Sequence, residues 1–231
     1  MMDDSMEKVE SPFQREIALV FGKTGMGKSN YIKTYLSELK RVIILDPLDE
    51  YPAKEFQNPE EMLSHIEMNQ KEFRVKSTNI LHLEILGEIV DSLNDVTFII
   101  EEAQRCLPAS RQELPDSLQR IIFLGRHFGR SLVIAAQRPS IVHIAARSQW
   151  TRIVTFNLTE VGDLRWLEGT SGYDIENEYD IRKLPVGEYF EITPGGFEQK
   201  TAPLYIPKRG REEEKESGIM GIFSAFNLQT N

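Results

Sequence analysis

The run Gly22-Lys23-Thr24-Gly25-Met26-Gly27-Lys28-Ser29 constrains this chain more than any other stretch. It fits G-x-x-x-x-G-K-[ST], the pattern of a phosphate-binding loop (P-loop, or Walker A). Before it stands Ile17-Ala18-Leu19-Val20-Phe21, an apolar run of buried-strand length, and after it Ser29 to Lys40 reads as a helix. Strand, glycine loop and helix start are the context that the pattern requires. Gly22, Gly25 and Gly27 permit backbone angles closed to other residues and let main-chain N–H groups approach an anion. Those groups and the helix N-terminus make a positive cradle, to which Lys23, Thr24, Met26 and Asn30 are expected to contribute. Lys28 is placed to reach the β- and γ-phosphates of a nucleoside triphosphate, and Ser29 to ligate Mg2+. The alternative, an unrelated glycine turn before a helix, does not account for the flanking elements.

The chain has 231 residues, room for one α/β domain with small appendages, and at 40% hydrophobic it can bury a substantial core. The formal net charge of −9 argues against passive coating of nucleic acid but leaves room for a local basic pore. Cys106 is the single cysteine, which excludes a disulfide framework and suits a reducing compartment. His65, His82, His127 and His143 lack zinc-ligand spacing. Met1 to Glu10 is acidic without an apolar core, so a secretory signal is not expected, and no apolar run approaches the length of a membrane span.

Along the chain, residues 1–12 read as a solvated tail. Arg41 to Leu45 is a second buried strand, and Asp46 at its end is either a ligand-facing acid or a turn residue. Pro59 to Lys71 reads as a helix and Phe73 to Lys76 as a short strand. Leu81 to Leu93 reads as a helix, with Leu81, Ile85, Ile89 and Leu93 as its core stripe. Val96 to Ile100 is an apolar strand ending in Glu101 and Glu102. With a P-loop upstream, an acid at such a strand end helps hold Mg2+ and a neighbouring Glu orients or deprotonates the attacking water; without it, the pair is a solvated edge.

Arg105 to Leu114 reads as a loop or lid. A helix opens at Pro115 and runs to about His127. Ser131 to Ala136 is a further strand, followed by Gln137, either an amide facing the γ-phosphate or a turn residue. After a short helical stretch at 140–147 come a strand at Arg152 to Phe156, a helix from Thr159 to Gly169 with Thr159 as its cap, and a hairpin around Pro194-Gly195. Strands alternating with helices imply an α/β fold with a doubly wound, mainly parallel sheet. The expected division is a tail at 1–12, an ATPase-type domain at 13–207, and at 208–231 a charged linker with a short apolar tail, Gly218 to Phe226.

The ordered set resembles the FtsK–HerA superfamily of DNA-pumping ATPases. The residues that carry the likeness are the P-loop, Leu45-Asp46-Pro47 with Glu50-Tyr51, Glu101-Glu102, and above all Gly125-Arg126-His127-Phe128-Gly129-Arg130 running through Gln137-Arg138-Pro139-Ser140, with Thr151 to Phe156 behind them. It covers roughly residues 15–205, and the stretch ending in Gln-Arg-Pro-Ser is its most specific part. The resemblance implies a RecA-like P-loop NTPase with helices on both sheet faces, ATP and Mg2+ as ligands, and a ring hexamer holding ATP between neighbours. Carried over, Lys28 and Ser29 bind phosphate and Mg2+, Glu101 supports the metal, Glu102 activates water and Gln137 is the sensor glutamine. Arg126 is the first choice for an arginine finger on the neighbour's γ-phosphate, with Arg130 and Arg152 as rivals; the bland alternative for all three is surface solvation or a salt bridge. One departure stands out: family members usually place Asp where this chain has Glu101, which leaves the division of labour between Glu101 and Glu102 open.

A nearly bare core of this size looks like the genome-packaging ATPases of icosahedral viruses with an internal membrane and double jelly-roll capsids. That likeness implies a motor pumping double-stranded DNA into a preformed capsid, working in the host cytoplasm or at the packaging vertex. Its apolar tail would then be available to dock on capsid-vertex or inner-membrane proteins. Two other readings stand beside it: a cellular or plasmid translocase with a nuclease or conjugation partner, and a nucleotide-gated anchoring protein. By loop position alone, Lys71, Lys76, Arg105 and Arg111 are the candidates for DNA contact.

Overall fold

Runs of β-branched and large aliphatic residues too short for helices form most of the sheet. In the computed structural model, which describes residues 16–108, 112–175 and 180–202, the strands are β1 (Ile17–Phe21), β2 (Arg41–Leu45), β3 (Lys54–Glu55), β4 (Phe73–Ser77), β5 (Thr97–Ile100), β6 (Ser131–Ala136), β7 (Arg152–Thr155), β8 (Glu188–Thr193) and β9 (Gly196–Thr201). They join into one sheet in the order β3-β4-β2-β5-β6-β1-β7-β8-β9. Every pairing from β3 to β7 is parallel, while β8 and β9 add an antiparallel hairpin at the β7 edge. The mainly parallel sheet and the terminal hairpin agree with the sequence. The expected tail at 1–12 and the linker and apolar tail at 208–231 lie outside the described residues, as do both margins of the 13–207 domain.

Strand periodicity divides the core into two layers. Ile17, Leu19 and Phe21 of β1 and Ile43 and Leu45 of β2 face one layer, built with Met62 and Ile66 of α2 (Pro59–Met68), Leu86 and Ile89 of α3 (Leu83–Ser92), Leu118 and Ile121 of α5 (Asp116–Leu124), and Leu164 and Leu167 of α7 (Val161–Ser171). Ala18, Val20, Val42 and Ile44 face the other, covered by Tyr31, Ile32 and Leu36 of α1 (Lys28–Leu36) and by Tyr51, Phe156 and Tyr189. Two short helices, α4 (Ala103–Cys106) and α6 (Ile144–Ser148), also lie among the described residues.

Several boundaries differ from the sequence reading for identifiable reasons. α1 starts at Lys28 and stops at Leu36, so the expected final turn to Lys40 is not helical. Half of the predicted stripe on α3 fails: Leu81 precedes the helix in a 3-10 turn and is 82% exposed, and Ile85 also faces solvent, whereas Ile89 is buried and Leu93 packs against the core, joined there by Leu83, Leu86 and Val90. A strict spacing of four drifts around a 3.6-residue helix, and the true face alternates three and four. α7 begins at Val161 with Glu160 at its cap, so Thr159 does not cap it. The expected lid at 105–114 opens with helix α4, which contains Arg105.

Because the central strands are parallel, the residues that follow β1, β2, β5 and β6 emerge at one edge of the sheet. These are Gly22, Asp46, Glu101 and Gln137. Crevices at the carboxyl edge of such sheets are where ligands bind.

Candidate active site

The P-loop wraps around Phe156, the residue that follows β7. Gly22 has φ +147° and Gly27 φ +114°. A Cβ on Gly22 would lie 2.6 Å from that of Phe156, and one on Gly27 would lie 3.2 Å from its ring. Both positions are therefore closed to side chains by conformation and by space. Gly25, by contrast, faces open space, and Lys23 and Thr24 beside it are exposed. The half-buried Met26 accepts a hydrogen bond at its carbonyl from Gly187 N (3.0 Å), which ties the loop to the start of β8. Lys28 is buried, and its Nζ donates to Gly22 O (2.9 Å) and Lys23 O (3.4 Å). An ammonium held across the loop mouth by carbonyls can turn onto an arriving phosphate. With the start of α1 at Lys28, the loop thus fits a phosphate chain.

Glu101 is only 1% exposed, and its Oε2 accepts a hydrogen bond from the Tyr51 hydroxyl at 2.7 Å. Burial pushes the Glu101 carboxyl up to about 7; the Tyr51 hydrogen bond and then the Lys28 charge act downward, while Glu102 and Glu50 add to the rise. Burial, followed by the Glu101 charge, holds the Tyr51 phenol well above its ordinary value, so it stays a protonated donor. Tyr51 and Glu101 therefore form one connected pair. Among the described residues no cluster of three or more His, Cys, Asp or Glu side chains could hold a metal alone. Hard oxygen donors such as Ser29 and Glu101 suit Mg2+ when phosphate oxygens and water complete its shell.

Glu102 is half-buried and left-handed at φ 47°, ψ 50°, the residue before α4. Such a conformation costs a non-glycine residue on the order of 1 kcal/mol. The turn separates the two acids into different environments, one enclosed and one in contact with solvent. Gln137 lies one residue beyond β6, whose Ala136 pairs with Phe21, so the amide starts beside the P-loop. Gln137 is half-buried and makes no hydrogen bond among the described residues. A phosphate cradle, oxygen ligands for an ion, a half-exposed acid and a neutral amide are together the parts needed to position a triphosphate and an attacking water.

The arginines sort themselves by environment. Arg130 is buried, with Nη1 on Asp91 Oδ1 (2.7 Å) and Nε on Leu93 O (2.7 Å), so as a rival finger it is already occupied. Arg152 joins Glu16 (2.9 Å) to Glu191 (3.1 Å) and staples β7 to its neighbours; it too is structural. Arg126 is exposed, in the 3-10 turn after α5, with no hydrogen bond or ion pair among the described residues. It lines a cavity of about 290 Å³ with Ile17, Trp150 and Thr151, at the amino edge of the sheet. The structure therefore does not bring Arg126 to its own P-loop: the five residues of β1, roughly 17 Å of strand, lie between them.

Two further expectations change. Asp46 is the turn residue of the two alternatives: fully buried, it accepts from Glu50 N (3.1 Å) and Tyr51 N (2.9 Å). Lys76, a candidate for DNA contact, is buried, with Nζ on Tyr51 O (2.6 Å), 3.5 Å from Asp46 and paired with Asp49. Its work is to lock the 46–51 loop. Lys71 is exposed at the amino edge, Arg105 is exposed on α4, and Arg111 lies outside the described residues. Sequence reasoning did not assign Tyr51 a place in the site; the signs were its position in the acidic loop after β2 and its presence among the residues that carry the family resemblance.

A family model for the central domain of the helicase HerA matches residues 9–121. No curated protein matches the chain. Among solved structures, the genome packaging NTPase B204 of Sulfolobus turreted icosahedral virus 2 in complex with AMPPCP is similar, with a TM-score of 0.66 and 19% identity, covering 82% of this chain and 98% of that one. B204 of Sulfolobus turreted icosahedral virus, described as a DNA-packaging ATPase, gives 0.63 and 16% over 84% of this chain and all of the other. The pCW3 conjugation coupling protein TcpA, with ATPγS, gives 0.56 and 15% over 82% of this chain and 60% of that one. At these identities the structural likeness establishes the fold.

Proposed function

We propose a function from one premise: the chain belongs to the FtsK–HerA superfamily. It is an ATP-driven translocase of double-stranded DNA, working as a packaging motor that moves a viral genome into a preformed capsid. The observation that carries this reading is the convergence of the P-loop, Glu101, Glu102 and Gln137 at one sheet edge. B204, whose solved forms include complexes with ATP analogues, supports the packaging reading because its chain is matched over 98% of its length. TcpA favours a plasmid-transfer reading instead, with a lower score and a smaller matched share.

In this account the P-loop, from Gly22 to Asn30, binds the triphosphate, and Lys28 moves from the loop carbonyls to the β- and γ-phosphates. Ser29 and Glu101 would hold Mg2+, which when bound would supply positive charge against that developing on the transferred phosphoryl group. Glu102 takes the proton of the attacking water, and Gln137 orients that water or senses the γ-phosphate. Arg126 serves the next subunit of a ring, which we take to be a hexamer. The tail from Gly218 to Phe226 docks the motor on a capsid-vertex or inner-membrane protein.

Hydrolysis should rise with added duplex DNA. Lys28→Ala and Arg126→Ala should each abolish it, the arginine by on the order of a thousandfold. Mixing the two inactive variants should restore part of the rate, because some interfaces then pair an intact loop with an intact arginine. Absence of DNA stimulation, or an active Arg126→Ala protein, would contradict the reading.

A further inference from the structure

The hydroxyl of Tyr51 is held against one of the two side chains assigned to the metal. A phenol has one proton, and Tyr51 gives it to Glu101 Oε2 at 2.7 Å. That bond ties the loop after β2 to the end of β5.

Tyr51 is held from every side. It is 2% exposed, its N–H donates to Asp46 Oδ2 (2.9 Å), and its carbonyl accepts from Lys76 Nζ (2.6 Å). Its ring packs in the same layer as Tyr31 and Ile44, and Lys33 Nζ lies 5.7 Å from the ring centroid. The backbone of this residue is thus pinned by a buried ion pair, and its side chain by packing. The phenol oxygen is a fixed point.

Glu101 needs such a point. A glutamate has one more rotatable bond than an aspartate, so at a strand end its carboxylate is less determined by the backbone. A rigid donor on Oε2 removes that freedom and leaves Oε1 as the oxygen to meet an incoming ligand.

We propose that Tyr51 is a positioning residue that fixes the Glu101 carboxyl and so sets how strongly Mg2+ enhances nucleotide binding. This rests on the reading of the P-loop as a Mg2+–nucleotide site. Tyr51 acts through Glu101. The loop from Asp46 to Tyr51, which is remote from the P-loop in sequence, becomes part of the metal site's frame.

The test is the affinity of a fluorescent ATP analogue for the full chain, measured in EDTA and in Mg2+. Tyr51→Phe keeps the ring and deletes the hydroxyl. In EDTA it should bind like the natural chain, and the enhancement by Mg2+ should fall about tenfold, as expected for loss of a hydrogen bond to a charged group. Glu101→Gln should lose the enhancement too, and Tyr51→Phe should add nothing in that background. Three results would overturn the proposal: an unchanged Mg2+ enhancement in Tyr51→Phe, an equal loss in EDTA, or full additivity with Glu101→Gln. If the natural chain itself showed no enhancement by Mg2+, the nucleotide-site reading would fall, and this inference with it.

Discussion

At the scale of residues, the unusual group is Glu101. Burying a carboxylate disfavours its charged form, and here burial outweighs the Tyr51 hydrogen bond and the nearby Lys28, leaving the carboxyl at about 7. The unfolded chain releases this proton near 4.5. Between those values the folded protein holds more protons than the unfolded one, so its stability falls as pH rises through the window. Without nucleotide and in EDTA, the stability advantage of Glu101→Gln over the natural chain should therefore grow from pH 4.5 to 7, by roughly 3 kcal/mol. Denaturant unfolding at several pH values measures it; a constant difference would contradict the buried carboxyl with a raised pKa. The residues of the P-loop were legible because glycine, lysine and serine at fixed spacing have few other uses. Tyr51 was not, because its partner Glu101 is fifty positions away and nothing local marks the contact.

At the scale of elements, the 46–51 loop is the piece that turns a sheet edge into a site. Asp46 gathers two backbone N–H groups, and Lys76 from the neighbouring strand closes the loop from behind. Asp46→Ala would orphan those donors and remove one of the carboxylates around a buried ammonium. A loss of about 2–4 kcal/mol is expected in urea unfolding, along with a weaker Mg2+ enhancement of nucleotide binding, since Tyr51 loses its anchor. A loss under about 0.5 kcal/mol, the usual range for surface changes, would show that the loop is held otherwise. The central strands could be read directly, since β1, β2, β5 and β6 are nearly uninterrupted apolar runs. β3 could not: two exposed charged residues, Lys54 and Glu55, carry no burial signal and are recruited by pairing with β4. Likewise the face of α3 was decided by which residues meet α5, not by the most regular apolar spacing.

At the scale of the whole molecule, the candidate nucleotide-site residues lie at the carboxyl edge of the sheet and Arg126, which has no hydrogen bond or ion pair among the described residues, at the amino edge. Two complementary features on opposite edges suit a head-to-tail contact, which closes into a ring when the rotation permits. The proposed ring and DNA path are not legible in a single chain, because pore contacts depend on how copies face one another. Lys76 illustrates the limit: a basic residue by sequence, it is spent inside the fold. The central claim is that hydrolysis at this site moves the protein along duplex DNA. The most direct measurement is displacement of a third strand from a triplex on linear duplex DNA. The natural chain should displace it with ATP and not with ATPγS, and Glu102→Gln should bind the same DNA without displacing the strand. Brisk DNA-stimulated hydrolysis by the natural chain with the triplex left intact would contradict the account.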